Sequence, residues 1–509
     1  MCFALYSYMG NKFLSIYAFV LLALLAACKD DDSFTLSPSH LLTFSVDTLN
    51  VDTVFSNVPT ATKSFWAYNR SGMGLRCQSV RLEKGNKTGF RINVDGQYLG
   101  QSTDFATSNI EVRNKDSIRI FVELTSPDNG QVEPQLCQDN LIFTLESGAE
   151  QKVNLRAYTW DAIKYTDVHI TSDSTISAQQ SPIIIYGGIE VDSGATLKIT
   201  PGTTLYFHND AQVAVRGTLK TFGEAGNEVV FRGDRIDHMF DYLPYDRVPG
   251  QWQGVRFYGS SYGNELTFTD IHSAYNGVVV DSSDVKKAKL TINNSTIHNC
   301  QGFGLHSKNS QIFLNNSQFS NTLADCVRLD GGQVNIKNCT LAQFYPFDGT
   351  RLSALRFSSV QVPLVNLSVC NTLITGYADD VIEGEHGDST KTFRYTFDHC
   401  VIRTPRITTA DSVNFVNVIF EDVKDTTHYG AKHFAMFDTD NLIYNFDLDS
   451  LSAAINKANL QTSLPLDRKG RQRDAMPDVG AYEWIKMQEA SSDLPKRLRY
   501  EKNKTGNKR

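Results

Sequence analysis

Leu290-Thr-Ile-Asn-Asn-Ser-Thr-Ile297 returns as Ile312-Phe-Leu-Asn-Asn-Ser-Gln-Phe319, and again as Val334-Asn-Ile-Lys-Asn-Cys-Thr-Leu341. More distant copies are Leu367-Ser-Val-Cys-Asn-Thr-Leu-Ile374, Tyr395-Thr-Phe-Asp-His-Cys-Val-Ile402 and Val413-Asn-Phe-Val-Asn-Val-Ile-Phe420. The first three copies lie 22 residues apart, and the later intervals are irregular, as inserted loops would make them. A period of this size marks a solenoid. Alternating apolar pairs (Leu290/Ile292, Ile312/Leu314, Val334/Ile336) give each copy the pattern of a strand with one buried face. Each copy therefore reads as one coil of a parallel β-helix.

A single coil cannot bury its apolar face, but stacked coils share a continuous core. Equivalent positions then pile into columns. The fifth position of the repeat is Asn294, Asn316, Asn338, Asn371, His399 and Asn417. Asn tolerates left-handed backbone, and its amide could bond the Asn above and below, so a structural ladder is expected there. A column of small residues follows it: Ser295, Ser317, Cys339, Thr372, Cys400 and Val418. A second strand set recurs at Val278-Val-Val280, Val327-Arg-Leu329, Leu355-Arg-Phe357 and Val381-Ile-Glu383.

The 509 residues suffice for two or three domains, and 41% hydrophobic content supplies a large core. The net charge of -7 is mild, and nothing in the chain resembles a nucleic-acid binder, which would need a basic face. Helical periodicity is confined to residues 450–458, where a short helix is expected. The class is all-β: an N-terminal β-sandwich followed by a right-handed parallel β-helix.

Residues 1–28 carry a short basic start, an apolar run and small residues before Cys28, the pattern of a signal peptide, with Met9 an alternative start. Leu25-Ala-Ala-Cys28 resembles the bacterial lipobox. That resemblance implies cleavage before Cys28 and acylation of the new terminus, and several acyl chains give stable anchoring. Lys29-Asp30-Asp31-Asp32 resembles the acidic export signal of Bacteroidota lipoproteins displayed on the outer face of the outer membrane. The expected location is the cell surface, lipid-anchored in the outer membrane, with residues 29–39 as an acidic linker.

Residues 40–162 hold short strands at near-regular spacing, which suggests an immunoglobulin-like sandwich. Its last strand is expected from Val153 to Asp161, with residues 162–173 as the join. Cys77 and Cys137 could pair in an oxidising compartment. Asp47-Thr-Leu, Asp52-Thr-Val-Phe, Phe90-Arg-Ile-Asn-Val-Asp-Gly96 and Gln151-Lys-Val-Asn-Leu-Arg-Ala157 resemble the front domain of a family of Bacteroidota surface lipoproteins. The resemblance implies a following β-helix and no particular activity.

Residues 174–484 are assigned to the helix, opening with Gly188-Ile-Glu-Val-Asp-Ser-Gly-Ala-Thr-Leu-Lys-Ile199. An insertion from Arg232 to Trp252 interrupts the opening coils, and long loops on rigid scaffolds are where function sits. Its candidate ligand-binding residues are Asp234, Arg235, Asp237, His238, Tyr242, Tyr245, Arg247 and Trp252. Tyr242, Tyr245 and Trp252 could stack on sugar rings. The competing expectation is a loop folded over the helix wall with Trp252 as its plug.

Asp379, Asp380, Glu383, Glu385 and Asp388 form the densest carboxylate cluster of the helix. They are weak candidates for a Ca2+ site against a solvated loop; no other cofactor is expected. Pro477-Asp-Val-Gly-Ala-Tyr-Glu-Trp484 resembles the closing segment of Bacteroidota β-helix proteins and is expected to cap the last coil. Residues 485–509 read as a loose basic tail.

Three functions compete. The first is a non-catalytic scaffold that binds a glycan or a surface protein. The second is a polysaccharide lyase or glycoside hydrolase acting on acidic glycans. Asp234, Asp237, His238, Asp241, Arg247 and the 379–388 carboxylate cluster are the groups it could recruit, though no catalytic motif is legible. The third is an accessory subunit of an outer-membrane assembly.

Overall fold

A computed structural model describes residues 33–421, 423–424 and 430–485. Cys28, Lys29, Asp30, Asp31 and Asp32 lie outside the described residues, as does the tail beyond 485. The chain divides into two compact units, Met1–Asp161 and Ala162–Arg509.

The first unit is built from two sheets. One orders Leu42–Phe44, Lys63–Asn69, Ser117–Leu124, Phe90–Val94 and Gln97–Leu99. The other orders Thr48–Phe55, Glu150–Trp160, Gln135–Leu145, Leu75–Leu82 and Ala106–Thr107, with Ile110–Val112 also beside Leu75–Leu82. Ser117–Leu124 shows the logic of the layer. Ile118, Ile120, Val122 and Leu124 are buried, and the residues between them face outward, the period-two pattern of a half-buried strand. Phe65, Ile92 and Ile120 of the first sheet join Val80, Phe143 and Leu155 of the second in one core.

Cys77 and Cys137 do not pair. Cys77 sits opposite Leu145 and Cys137 opposite Ala157, at the two ends of Gln135–Leu145. Eight residues of extended chain separate those ends by roughly 25 Å, far beyond disulfide reach.

In the second unit the parallel strands stack in three columns, one per face of each coil. The first holds Ile183–Val191, Gln212–Val215, Gly254–Phe257, Val278–Val280, Leu305–Lys308, Val327–Asp330, Leu355–Ser358 and Ile382–Glu385. The second runs through Val229–Gly233, Thr269–His272, Thr296–Cys300, Gln318–Thr322, Thr340–Gln343 and Leu373–Gly376. The third runs through Asn264–Thr267, Ala288–Asn293, Gln311–Asn315, Gly332–Lys337, Leu364–Cys370 and Phe393–Asp398. The winding begins before the expected boundary: residues 162–173 already carry the strand Ile163–Ile170, paired in parallel with Ile183–Val191.

The register bears out the repeat. Leu266, Ile292, Leu314, Ile336, Val369 and Phe397 are successive partners in the third column, and all are fully buried. The polar fifth position stacks as well. Asn294, Asn316, Asn338, Asn371, His399 and Asn417 all take left-handed φ between 46 and 52°. The Asn294 amide donates to the Asn315 carbonyl at 3.0 Å, and the Asn316 amide to the Lys337 carbonyl at 3.0 Å, each one coil on.

Their side chains do not form the expected amide ladder. Those of Asn294, Asn316, Asn338 and Asn371 turn outward and hold the returning C-terminal segment, whereas His399 bonds its neighbour Asp398. Asn294 Nδ2 donates to the Asp467 carbonyl and Asn316 Nδ2 to the Leu466 carbonyl, both at 2.7 Å. Asn338 Oδ1 accepts the Leu464 amide at 3.1 Å. A single amide–amide bond of that kind sits one residue earlier, where Asn315 Nδ2 donates to Asn293 Oδ1 at 3.0 Å.

Residues 459–484 thus run along the flank of the coils as a strap, not across the last coil as a cap. Val479, Ala481 and Tyr482 share a second core with Leu373, Val401, Phe344 and the hairpin Phe434–Asp438/Ile443–Leu448. This cover explains why all five residues of Gln318–Thr322 are buried, whereas Gln311–Asn315 alternates. The helix expected at 450–458 is a run of turns. Asp449 Oδ1 accepts the Leu451 amide and the Ser452 hydroxyl accepts the Ala454 amide, local bonds that compete with helix. Among the described residues there is no α-helix, and none long and apolar enough to cross a membrane.

Candidate functional site

The insertion between Gly233 and Gly254 folds against the second column. It forms a small hairpin, His238–Phe240 with Leu243–Pro244, and then a tight turn, Tyr245–Arg247. Its charged residues mostly pin the loop. Asp234 is buried and bonds His208 Nδ1 at 2.6 Å. Arg235 chelates the fully buried Asp237 at 2.8 and 2.7 Å and stacks its guanidinium on Tyr245. Arg247 donates to the Asn441 carbonyl at 2.9 Å, tying the turn to the second hairpin.

Trp252 is the plug. It is fully buried, lies flat on Phe207 at 4.3 Å and donates to the His272 carbonyl at 2.8 Å. Asp234, Arg235, Asp237 and Trp252 are therefore framework, and the candidate residues that face solvent are fewer. Tyr242 is 49% exposed and stacks on Phe240 at 5.8 Å.

That aromatic pair borders a hollow of about 760 Å³, shared with Phe347, Tyr345, Val248 and Leu442. Leu442 also lines a second, polar hollow of about 300 Å³. There the walls are Asp246, His298, Asn299, Gln318, Asn321 and Tyr482. Asn299 and Asn321 are left-handed residues on neighbouring coils, between the register pairs His298↔Ser320 and Cys300↔Thr322. Asn321 is buried and its Oδ1 has no hydrogen-bond partner among the described residues.

Behind this wall lies a chain of charges that the sequence reading did not pick out. Asp270 Oδ1 meets His272 Nδ1 at 2.6 Å and His298 Nε2 at 3.2 Å. His272 Nε2 meets Asp246 Oδ1 at 3.0 Å, and Arg232 meets the same oxygen at 2.5 Å. The two imidazoles stack 4.9 Å apart. Burial opposes charging of His272, yet Asp270 and Asp246 outweigh it and push its pKa up to about 9. Burial would raise both carboxyls, but the histidines, with Arg232 at Asp246, hold Asp246 and Asp270 well below the usual range. The site presents two firmly ionised carboxylates bridged by an imidazolium. A signal for it existed: aligning Phe268 with Asn294 sets His272 over His298, as the register confirms.

The acidic cluster at 379–388 does not converge. Asp379 pairs with Arg403 at 3.3 Å, Glu383 with Arg356 at 2.5 Å, and Asp380 accepts the Thr404 hydroxyl at 2.8 Å. Asp388 accepts the Thr390 amide at 2.9 Å, and Glu385 is exposed. Among the described residues these carboxylates do not converge as a set of metal ligands. A hollow of about 370 Å³ on the N-terminal unit, beside Tyr98 and Phe121, has Arg91 and Glu123 as its charged lining. Those two face each other at 3.8 Å.

Residues 235–349 match the family described as right handed beta helix region, in agreement with the coils seen here. No curated protein matches the chain. Among solved structures, the chain is similar to a family 123 glycoside hydrolase from Clostridium perfringens. That match has 11% identity and a TM-score of 0.16 and covers 25% of this chain and 26% of that one. It is also similar to the catalytic unit of a thermostable GH87 alpha-1,3-glucanase from Streptomyces thermodiastaticus strain HF3-3. There the identity is 9% and the TM-score 0.22, covering 70% of this chain and 88% of that one.

Proposed function

We propose that this chain is a glycan-binding scaffold, displayed at the cell surface on a lipid anchor at Cys28. The observation that carries the reading is the meeting of two unlike hollows at Leu442. One is an aromatic platform of Phe240, Tyr242 and Phe347, all more than 40% exposed. The other is a polar recess of carboxylate and carboxamide groups. Pyranose rings have apolar faces and hydroxyl edges, and a site pairing an apolar wall with a few fixed polar groups suits them. The half-buried Asn299 carboxamide, in front of the buried Asn321, is the group offered to a sugar hydroxyl in this recess.

The charges favour binding over hydrolysis. A glycosidase needs one carboxyl free to act as general acid, whereas Asp246 and Asp270 are both engaged by His272, at 3.0 and 2.6 Å. The sequence at Leu25-Ala-Ala-Cys28 and Lys29-Asp-Asp-Asp32 supports the anchor and outward display.

The test is titration calorimetry of the purified chain against a panel of neutral and acidic oligosaccharides. At least one glycan class should bind. Tyr242→Ala and Phe347→Ala should each weaken it about tenfold, or about 1.4 kcal/mol. Absence of binding across the panel, wild-type affinity in both variants, or new reducing ends would each overturn the reading.

A further inference from the structure

We propose that Asp270, His272 and His298 form a binding site for one divalent transition-metal cation of the Zn2+ type, beside the polar hollow. The ligand atoms of the three residues lie within 4.8 Å of one another, and among the described residues no other such group occurs. Two imidazole nitrogens and one carboxylate oxygen are the donor set that borderline divalent cations prefer. The solenoid itself brings them together. His272 and His298 are register partners on adjacent coils, and Asp270 precedes His272 by two on the same face.

A second, independent feature points the same way. Asp246 comes from the inserted turn and bonds His272 Nε2, which fixes the ring with Nδ1 toward Asp270. Metal-ligating histidines are oriented by such an outer carboxylate on their second nitrogen. Asp246 is itself held: Arg232 meets its carboxylate, and the Ser273 hydroxyl donates to its carbonyl at 2.8 Å. His298 lines the polar hollow, so the position left open by three protein ligands is reached from that side. A cation entering displaces the protons at His272 Nδ1 and His298 Nε2, the first leaving to solvent and the second leaving likewise or passing to His298 Nδ1. The inference does not depend on glycan recognition, because metal uptake is read with no glycan present.

The test starts from the chain stripped with EDTA, dialysed against dilute ZnCl2 and analysed for bound zinc. One zinc per chain is expected. His298→Ala and Asp270→Asn should each lose it, and Asp246→Asn should weaken it roughly 10- to 100-fold. His306→Ala removes a histidine paired with Asp330 in another column, so it should bind as wild type. Co2+ in place of zinc should give visible bands of nitrogen–oxygen coordination that His298→Ala abolishes. Thermal unfolding without metal keeps loss of a ligand distinct from loss of the fold. No stoichiometric zinc in the wild type, or equal uptake by a folded His298→Ala or Asp270→Asn chain, would sink the proposal. Tyr242→Ala should retain the metal even where it loses glycan.

Discussion

Asn371 grips Asn459 at both ends of its carboxamide: Nδ2 donates to the Asn459 carbonyl at 3.2 Å, and Oδ1 accepts the Asn459 amide at 2.8 Å. The same Nδ2 also reaches Thr462 Oγ1 at 3.1 Å and Ser463 Oγ at 3.0 Å. Asn338, Asn316 and Asn294 repeat the hold one coil at a time, so the strap is clipped to four successive coils. One residue type does two jobs at each step. Its backbone turns the corner in the left-handed region, and its side chain fastens the cover.

The two jobs can be separated at Asn371. Alanine removes the hydrogen bonds and also strains the backbone, since φ is 50°. Left-handed backbone costs a non-glycine residue about 1–2 kcal/mol, and each lost bond about 1 kcal/mol. Asn371→Ala should therefore lower stability by about 3–4 kcal/mol in urea unfolding of the β-helix unit. Asn371→Gly relieves the backbone term and should fall about 1 kcal/mol short of that loss. Equal losses for both would show that the side-chain bonds alone matter.

Arg473 is the strap's buried clasp. It bonds Glu483 at 2.9 Å, the Gly480 carbonyl at 2.8 Å and Asn316 Oδ1 at 3.2 Å, in a place closed to solvent. Arg473→Met leaves the buried Glu483 without its cation, held only by the Asp474 and Asp478 amides, and breaking a buried pair in this way costs about 3–5 kcal/mol. Adding Glu483→Gln removes the orphan charge, so the double variant should be more stable than Arg473→Met alone. Limited proteolysis between 459 and 484 gives an independent measure, with Arg473→Met cut fastest.

What could be read in the chain follows from which forces are periodic. Inward residues such as Ile292, Leu314 and Ile336 repeat because each packs on its own copy one coil away, so pattern alone located the third column. The strap could not be read that way. Asn294 and Asn316 look the same whether their amides bond each other or a segment 150 residues downstream. Trp252 in the inserted loop reads two ways, since aromatic residues serve both cores and sugar platforms, and its burial against Phe207 matches the plug, not the platform. Asp246, Asp270, His272 and His298 come from a loop and two coils, and only the stacking register makes them neighbours. Cys77 and Cys137 show the converse failure: composition allowed a pair that strand length forbids.

Lys289 should make stability rise at alkaline pH. It is fully buried and donates to the Tyr258 carbonyl at 2.6 Å. Burial pulls its pKa down to about 8, with Asp281 opposing weakly. Between pH 8 and the unfolded value near 10.5 the unfolded chain holds the proton that the folded chain has shed. Stability from this group must then increase with pH across that window and be flat below it. Urea midpoints of the wild type minus those of Lys289→Met, followed from pH 7 to 10, should climb above pH 8. A difference that stays level or falls would refute the burial argument.

Trp252 and Tyr242 lie ten residues apart in one loop and should fail in opposite ways. Trp252 is fully buried against Phe207 and Phe231, and its indole N–H satisfies the His272 carbonyl. Removing a buried ring of this size costs about 3–5 kcal/mol through lost transfer energy and the cavity left behind. Trp252→Ala should lower the thermal midpoint of the β-helix unit by several degrees, and Trp252→Phe should recover part of the loss. Tyr242 leaves half its ring in solvent, and surface changes of this kind shift stability by about 0.5 kcal/mol or less. Tyr242→Ala should therefore melt as wild type while weakening glycan about tenfold, the 1.4 kcal/mol expected of a stacking platform. Calorimetric melting and glycan titration on the same preparations check both halves. If Tyr242→Ala unfolds early, the platform is part of the core and the glycan loses its docking face.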